Sequence, residues 1–145
     1  MQKVLFVCTG NTCRSAMAEG MFKSLVKDEF EVSSAGIYAF EGEPASDEAI
    51  EAVKEYRVNI ENHRASTLSK DMVKSADVIF CMTSKHKQKI IEQYAEAREK
   101  TLTILEAANM DGDIIDPYGM PLEEYKNCAK DIYLALKKIC IRMSD

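Results

Sequence analysis

The strongest constraint on the fold is an alternation that runs the length of the chain: short β-branched or aromatic runs take turns with segments of helical periodicity. Residues 3–8, KVLFVC, form the first run and stop at Thr9-Gly10-Asn11; Met17, Ala18, Met21, Phe22 and Leu25 then recur at helical spacing. A second strand is expected over 31–35, ended by Gly36, with an exposed loop at 37–43. After Pro44, Ser46 can cap a helix carried by Ala49, Ile50 and Val53. Residues 77–82 read as a third strand because five of the six are apolar, and 84–97 continue with the helical spacing of Ile90, Ile91 and Tyr94. A shorter fourth strand is expected at 101–105, a loop rich in Gly, Pro and Asp at 107–121, and a long amphipathic helix at 122–141.

Strands joined through helices pair in parallel, because each crossover must pass over a face of the sheet. The expected fold is therefore α/β, a three-layer sandwich with a central parallel sheet of about four strands and helices on both faces. No repeat, linker or low-complexity tract interrupts residues 1–145, so one domain is expected. In such sheets ligands sit beyond the carboxyl ends of the strands. Cys8, the last residue of the first strand, is thus on the binding edge.

Charge and cysteine usage narrow the function classes. The net charge is −5, from 24 acidic and 19 basic residues spread along the chain, and no basic run offers the footprint that nucleic acid needs. The apolar run at the start is too short for a signal peptide or a membrane span, so a cytoplasmic protein with no membrane partner is expected. The five cysteines form no paired C-x-x-C elements, which argues against zinc and for free thiols in a reducing compartment. Cys81, Cys128 and Cys140 sit in apolar or helical settings and read as packing residues. A monomer or weak dimer without metal or cofactor is expected.

The chemistry concentrates in Cys8-Thr9-Gly10-Asn11-Thr12-Cys13-Arg14-Ser15. A tight loop from strand to helix start lets backbone N–H groups converge on one anion, and Arg14 adds a planar fork that matches phosphate bidentately. Cys8, inside those donors, is expected to have a depressed thiol pKa and to act as a nucleophile toward phosphorus. Ser15 can donate its hydroxyl to the sulfur, and Asn11 can brace the loop in a left-handed conformation. Cys13 lies near enough in sequence to capture an oxidised Cys8 as a disulfide. The alternative for this segment is an ordinary strand-to-helix turn with a buried cysteine.

The CTGNTCRS segment resembles the signature of the low-molecular-weight protein tyrosine phosphatases. Asp116-Pro117-Tyr118 resembles their second signature, and Ser34-Ala35-Gly36 and His63-Arg64-Ala65 are also similar to family segments. The resemblance implies a phosphocysteine intermediate, with Asp116 as the general acid that protonates the leaving group and then the base that activates water. Taken alone, Asp116-Pro117 would read as a turn initiator. The resemblance also implies that His63 supports the loop through hydrogen bonds with Asn11 and Ser34. His86 is read as a surface residue.

Within the family, the chain is most similar to the bacterial protein arginine phosphatases, with Thr12 where tyrosine-directed members place a bulky aliphatic residue. A threonine hydroxyl can orient a guanidinium, whereas an aliphatic wall suits a phenyl ring. Gly119, where tyrosine-directed members often carry an aromatic, points the same way, and Tyr38 and Tyr118 remain to flank the side chain. Phosphorylated proteins are thus the expected partners, phosphoarginine the favoured target and phosphotyrosine the alternative. An arsenate reductase on the same fold would need a further cysteine pair after the third strand, where Cys81 stands alone. A phosphocarrier or a phosphate-reading pseudoenzyme would not need Arg14 and Asp116 together with Cys8.

Overall fold

Period-two alternation in the first strand decides the layering of this computed structural model, which describes residues 1–144. In β1 (Gln2–Cys8), Val4, Phe6 and Cys8 face one side and Leu5 and Val7 the other, yet all five are buried. A strand buried on both faces must lie inside a sheet covered twice. Val4, Phe6 and Cys8 join a core with Met17, Met21 and Phe22 of α1 (Arg14–Val26) and with Ile132, Leu136 and Ile139 of the terminal helix. Leu5 and Val7 join a second core with Val73, Ile79 and Ile90 on the opposite face.

The sheet has four strands in the order β2-β1-β3-β4, with β2 at Phe30–Gly36, β3 at Val78–Cys81 and β4 at Thr101–Thr103. Every pairing is parallel, and Cys8 is in register with Gly36. The larger core is covered by α1, by α2 (Asp47–Ala52), by the short α5 (Ile104–Ala107) and by α6 (Leu122–Met143). The smaller one lies under α3 (Lys70–Ser75) and α4 (Ser84–Gln93). At the sheet centre the Phe6 ring meets Phe22 edge-on at 5.5 Å and Phe80 at 5.7 Å. Truncating such a buried ring costs about 3–5 kcal/mol.

The expected α/β sandwich and four parallel strands are present, with corrections at three places. The fourth strand stops at Thr103, because Thr103 and Glu106 form a reciprocal capping box that turns Ile104 and Leu105 into the start of α5. The helix expected over 84–97 ends at Gln93, with a 3₁₀ turn at Ala95–Ala97. The helix α3, capped by the Ser69 hydroxyl, lies in a stretch where no element is expected from the sequence. Ser46 caps α2, accepting from Ala49 N.

Candidate active site

The loop between β1 and α1 is built around the sulfur of Cys8. Asn11 takes a left-handed φ of 59°, which turns the chain so that its own backbone N–H points back at Cys8 Sγ, 3.3 Å away. Gly36, beside the loop, has no room for a side chain: a Cβ there would come within 2.6 Å of Thr9 O and 3.0 Å of Asn11 N. The loop is also tied to the chain leaving β2, through Ile37 N to Cys8 O and Tyr38 N to Thr9 O, both 2.9 Å. Met17 N to Cys13 O is the first bond of α1, so the N–H groups of Arg14, Ser15 and Ala16 have no partner within the helix. The N-cap residue, Cys13, offers no side-chain cap and the first turn holds no acid, which leaves the positive end of the helix open to an anion.

A chain of hydrogen bonds behind the loop fixes who donates to the sulfur. Asn11 Oδ1 accepts from the backbone N–H of Ser66, which can only donate, so the orientation of the amide is determined. Its Nδ2 then donates to Ser15 Oγ at 2.8 Å and Ser34 Oγ at 2.9 Å. With its oxygen already accepting, Ser15 has its own hydrogen left for Cys8 Sγ at 2.9 Å. His63 Nε2 lies 2.6 Å from Asn11 O, a carbonyl that can only accept, so the ring carries its proton there. Ser34 donates onward to Glu19, whose other oxygen takes Lys23. Glu19 was missed in the sequence because its position on α1 reads as an ordinary solvent-facing carboxylate.

Arg14 is 3% exposed and its guanidinium is only partly committed. Nη1 donates to Ile114 O at 3.0 Å, Nη2 lies 3.5 Å from Asp116 Oδ2, and Nε has no partner. Nε and Nη2 share one edge of the fork, the geometry that grips two oxygens of a tetrahedral anion. Asp116 Oδ1 accepts from Tyr118 N at 3.1 Å, so the Asp-Pro segment is a turn initiator and at the same time brings a half-exposed carboxylate to Arg14. The turn closes through Met120 N to Pro117 O, with Gly119 at φ +79°. A positive φ at the third turn position favours glycine by itself, which gives Gly119 a backbone reason independent of pocket width.

Cys8, Gly10, Thr12, Cys13, Arg14 and Asp116 line a pocket of about 360 Å³ with Thr9, Tyr38 and Tyr118 at its mouth. Phe40 and Glu43 line it too, although in the sequence both fall within the loop expected at 37–43 and carry no signal of a site. Burial pushes the Cys13 thiol up to about 12, with the nearby Cys8 adding to the effect. Cys81 is likewise pushed to about 12 by burial and contacts the carbonyls of Thr83 and Leu102, the setting of an inert packing thiol.

His86 is the clear correction among the assigned residues. It is 7% exposed rather than on the surface, and its Nε2 lies 2.9 Å from Thr9 Oγ1 in the loop between β1 and α1. Burial, reinforced by the Arg14 charge, holds its pKa down to about 4, so the ring is neutral near pH 7. Nothing local in the sequence signals this, because Thr9 and His86 are 77 residues apart.

The profile of the low molecular weight phosphotyrosine protein phosphatase family matches residues 3–144. A protein-arginine-phosphatase of Geobacillus stearothermophilus is 38% identical over 142 residues, 97% of this chain and 95% of that protein. A solved structure of a low molecular weight protein tyrosine phosphatase from T. tengcongensis is 45% identical, covers 98% of this chain and 99% of that one, and superposes with a TM-score of 0.94. A YwlE arginine phosphatase, solved as a cysteine-to-serine mutant with a phosphorylated active site serine, superposes equally well at 34% identity, over 99% of this chain and 97% of that one. Among the described residues no helix is long and apolar enough to cross a membrane.

Proposed function

The chain belongs to the low molecular weight phosphotyrosine protein phosphatase family, and from that premise we propose that it removes phosphoryl groups from protein side chains through a phosphocysteine on Cys8, with phosphoarginine as the target. The observation that carries the reading is the double donation to Cys8 Sγ, from Ser15 Oγ and Asn11 N, beside the open edge of Arg14. The sulfur attacks phosphorus while the bond from phosphorus to the leaving nitrogen or oxygen breaks. Asp116 gives its proton to that leaving atom. In the second step Asp116 takes a proton from water, the water oxygen bonds to phosphorus, and the sulfur–phosphorus bond breaks to release phosphate. Ser15 supports the sulfur at both ends of the cycle, and Arg14 with the first-turn amides of α1 balances the charge that develops on the phosphoryl oxygens.

The preference for phosphoarginine rests on Thr12, on Glu43 at the pocket edge and on the faces of Tyr38 and Tyr118. A hydroxyl, a carboxylate and aromatic faces all suit a guanidinium. The 38% identity to an arginine phosphatase supports the same reading. The 45% identity to a tyrosine phosphatase favours phosphotyrosine as the second reading. A cytoplasmic site of action suits five free thiols.

Side-by-side kcat/KM values for one peptide carrying phosphoarginine or phosphotyrosine test both. The expected result is faster release of phosphate from phosphoarginine. The reverse order moves the assignment to tyrosine, and no release from either peptide overturns the phosphatase reading.

A further inference from the structure

The phosphate pocket opens sideways into a second cleft of about 530 Å³, to which Thr9, Arg14, Tyr38 and Asp116 contribute as they do to the first. Its far wall is the start of α4. The first turn of that helix holds no acid, and Lys85 and Lys89 line the cleft one turn apart. Lys87, on a different face, is neutralised by Glu106 at 2.6 Å. Lys85 and Lys89 have no carboxylate partner among the described residues. Lys89 is nonetheless held in place, with its ammonium 2.9 Å from Tyr38 Oη and 4.7 Å from the centre of that ring.

The cleft also holds two carboxylates, each with a hydrogen-bond or ionic partner. Asp113 Oδ1 accepts from Ser84 N at 2.9 Å, at the start of α4, and Asp116 faces Arg14. His86, between the two pockets through its contact with Thr9, is neutral and adds no charge of either sign. With Arg14 facing Asp116, Lys85 and Lys89 outweigh the single carboxylate of Asp113, so a chain with a net charge of −5 carries a positive excess in a cleft that continues its phosphate site.

We propose that this cleft is a second substrate subsite, in which Lys85 and Lys89 receive a carboxylate side chain close in sequence to the phosphorylated residue. The proposal rests on the phosphatase reading above and deepens it from a phosphorylated side chain to a phosphorylated residue in an acidic segment. Two cations about one helical turn apart, roughly 6 Å along the axis, suit one carboxylate held between them. The two pockets share Thr9 and Arg14, so a chain anchored by its phosphoryl group has its neighbouring residues over the cleft. Tyr38 bridges the two, flanking the phosphorylated side chain on one side and steadying Lys89 on the other.

The test uses a peptide carrying whichever phosphorylated residue the enzyme turns over faster, with glutamate or glutamine scanned across the three positions on each side. The reading is the ratio of kcat/KM for glutamate over glutamine within each protein, and p-nitrophenyl phosphate serves as a substrate with no flanking residue. For the unaltered protein the ratio is expected to reach about fivefold at one position or more, the order that two partly solvated ion pairs supply, and to shrink in high salt. In a Lys85→Met/Lys89→Met protein the ratio is expected to fall to about one, with Lys89→Arg retaining much of it. A ratio near one at every position in the unaltered protein, or a fivefold ratio that survives the double substitution, overturns the subsite while hydrolysis leaves the phosphatase reading standing. No phosphate released from any peptide or from the aryl phosphate overturns both.

Discussion

The loop that surrounds Cys8 and the rim that surrounds the loop obey opposite rules. In the loop, Cys8, Asn11, Arg14 and Ser15 are at most 3% exposed, and the Asn11 side chain and carbonyl are each tied to a named partner. On the rim, Tyr38, Phe40 and Tyr118 are 63%, 74% and 79% exposed. Donors fixed before the substrate arrives do not have to reorganise as charge develops, which is where electrostatic catalysis gains most. An exposed rim carried by irregular segments can change its side chains without disturbing a core. The contrast points to the buried loop groups for the reaction, and to the rim together with the part-exposed Thr12 of the loop for the choice of substrate.

The sharpest way to break this division is at Arg14. Arg14→Lys keeps the charge but loses the paired Nε and Nη2 donors, and a loss of about 10²–10³-fold in kcat is expected for every substrate alike. A variant that retained activity on one substrate only would put selectivity inside the loop. Asp116 stands on the border, since it belongs to the rim turn but contacts Arg14. Asp116→Asn keeps the bond to Tyr118 N while removing the proton donor, so kcat is expected to fall about 10²-fold or more with little change in stability. Unfolding at an unchanged temperature together with unchanged kcat would return the segment to a plain turn.

Thr12 tests the division from the other side, because it belongs to the loop, lines the substrate pocket and is only partly buried. Thr12→Ile is expected to shift the ratio of phosphoarginine to phosphotyrosine kcat/KM by about tenfold toward tyrosine, the worth of one good hydrogen bond. An unchanged ratio would leave selectivity to the rim alone.

His86 gives an effect on stability rather than on rate. Its folded pKa, about 4, lies below the ordinary 6.5. Below pH 6.5 the unfolded chain takes up a proton that the folded one refuses, so stability falls as pH drops from 6.5 to 4 and is unaffected above that window. The upper bound is about 3 kcal/mol. Urea unfolding of the protein and of His86→Gln across pH 7.5 to 4.5 is expected to give curves that converge as the pH falls. Parallel curves would mean that the ring titrates normally.

Much of this molecule was legible along the chain because its signals are local. The apolar runs at 3–8 and 77–82, the Ser46 cap and the helix at the C-terminal end depend on residues within a few positions of one another. The capping box at Thr103 and Glu106 was equally local, and the apolar Ile104 and Leu105 hid it by extending the strand pattern. The six residues of α3 make too few turns for a helical period to register.

By itself the sequence determined the alternation of strands and helices apart from α3 and α5, the place of Cys8 at a strand's carboxyl end and the residue types of the loop. Each follows from covalent neighbourhood and hydrophobic period. Only the tertiary structure decided that His86 backs Thr9, that Glu19 ends the chain of bonds behind Asn11, that Phe40 and Glu43 reach the pocket and that Lys85 and Lys89 share a cleft with Arg14. These pairings join segments separated by up to 77 residues. They exist because parallel pairing brings the carboxyl ends of β1, β2 and β3 to one edge, and no local pattern encodes which side chains meet there.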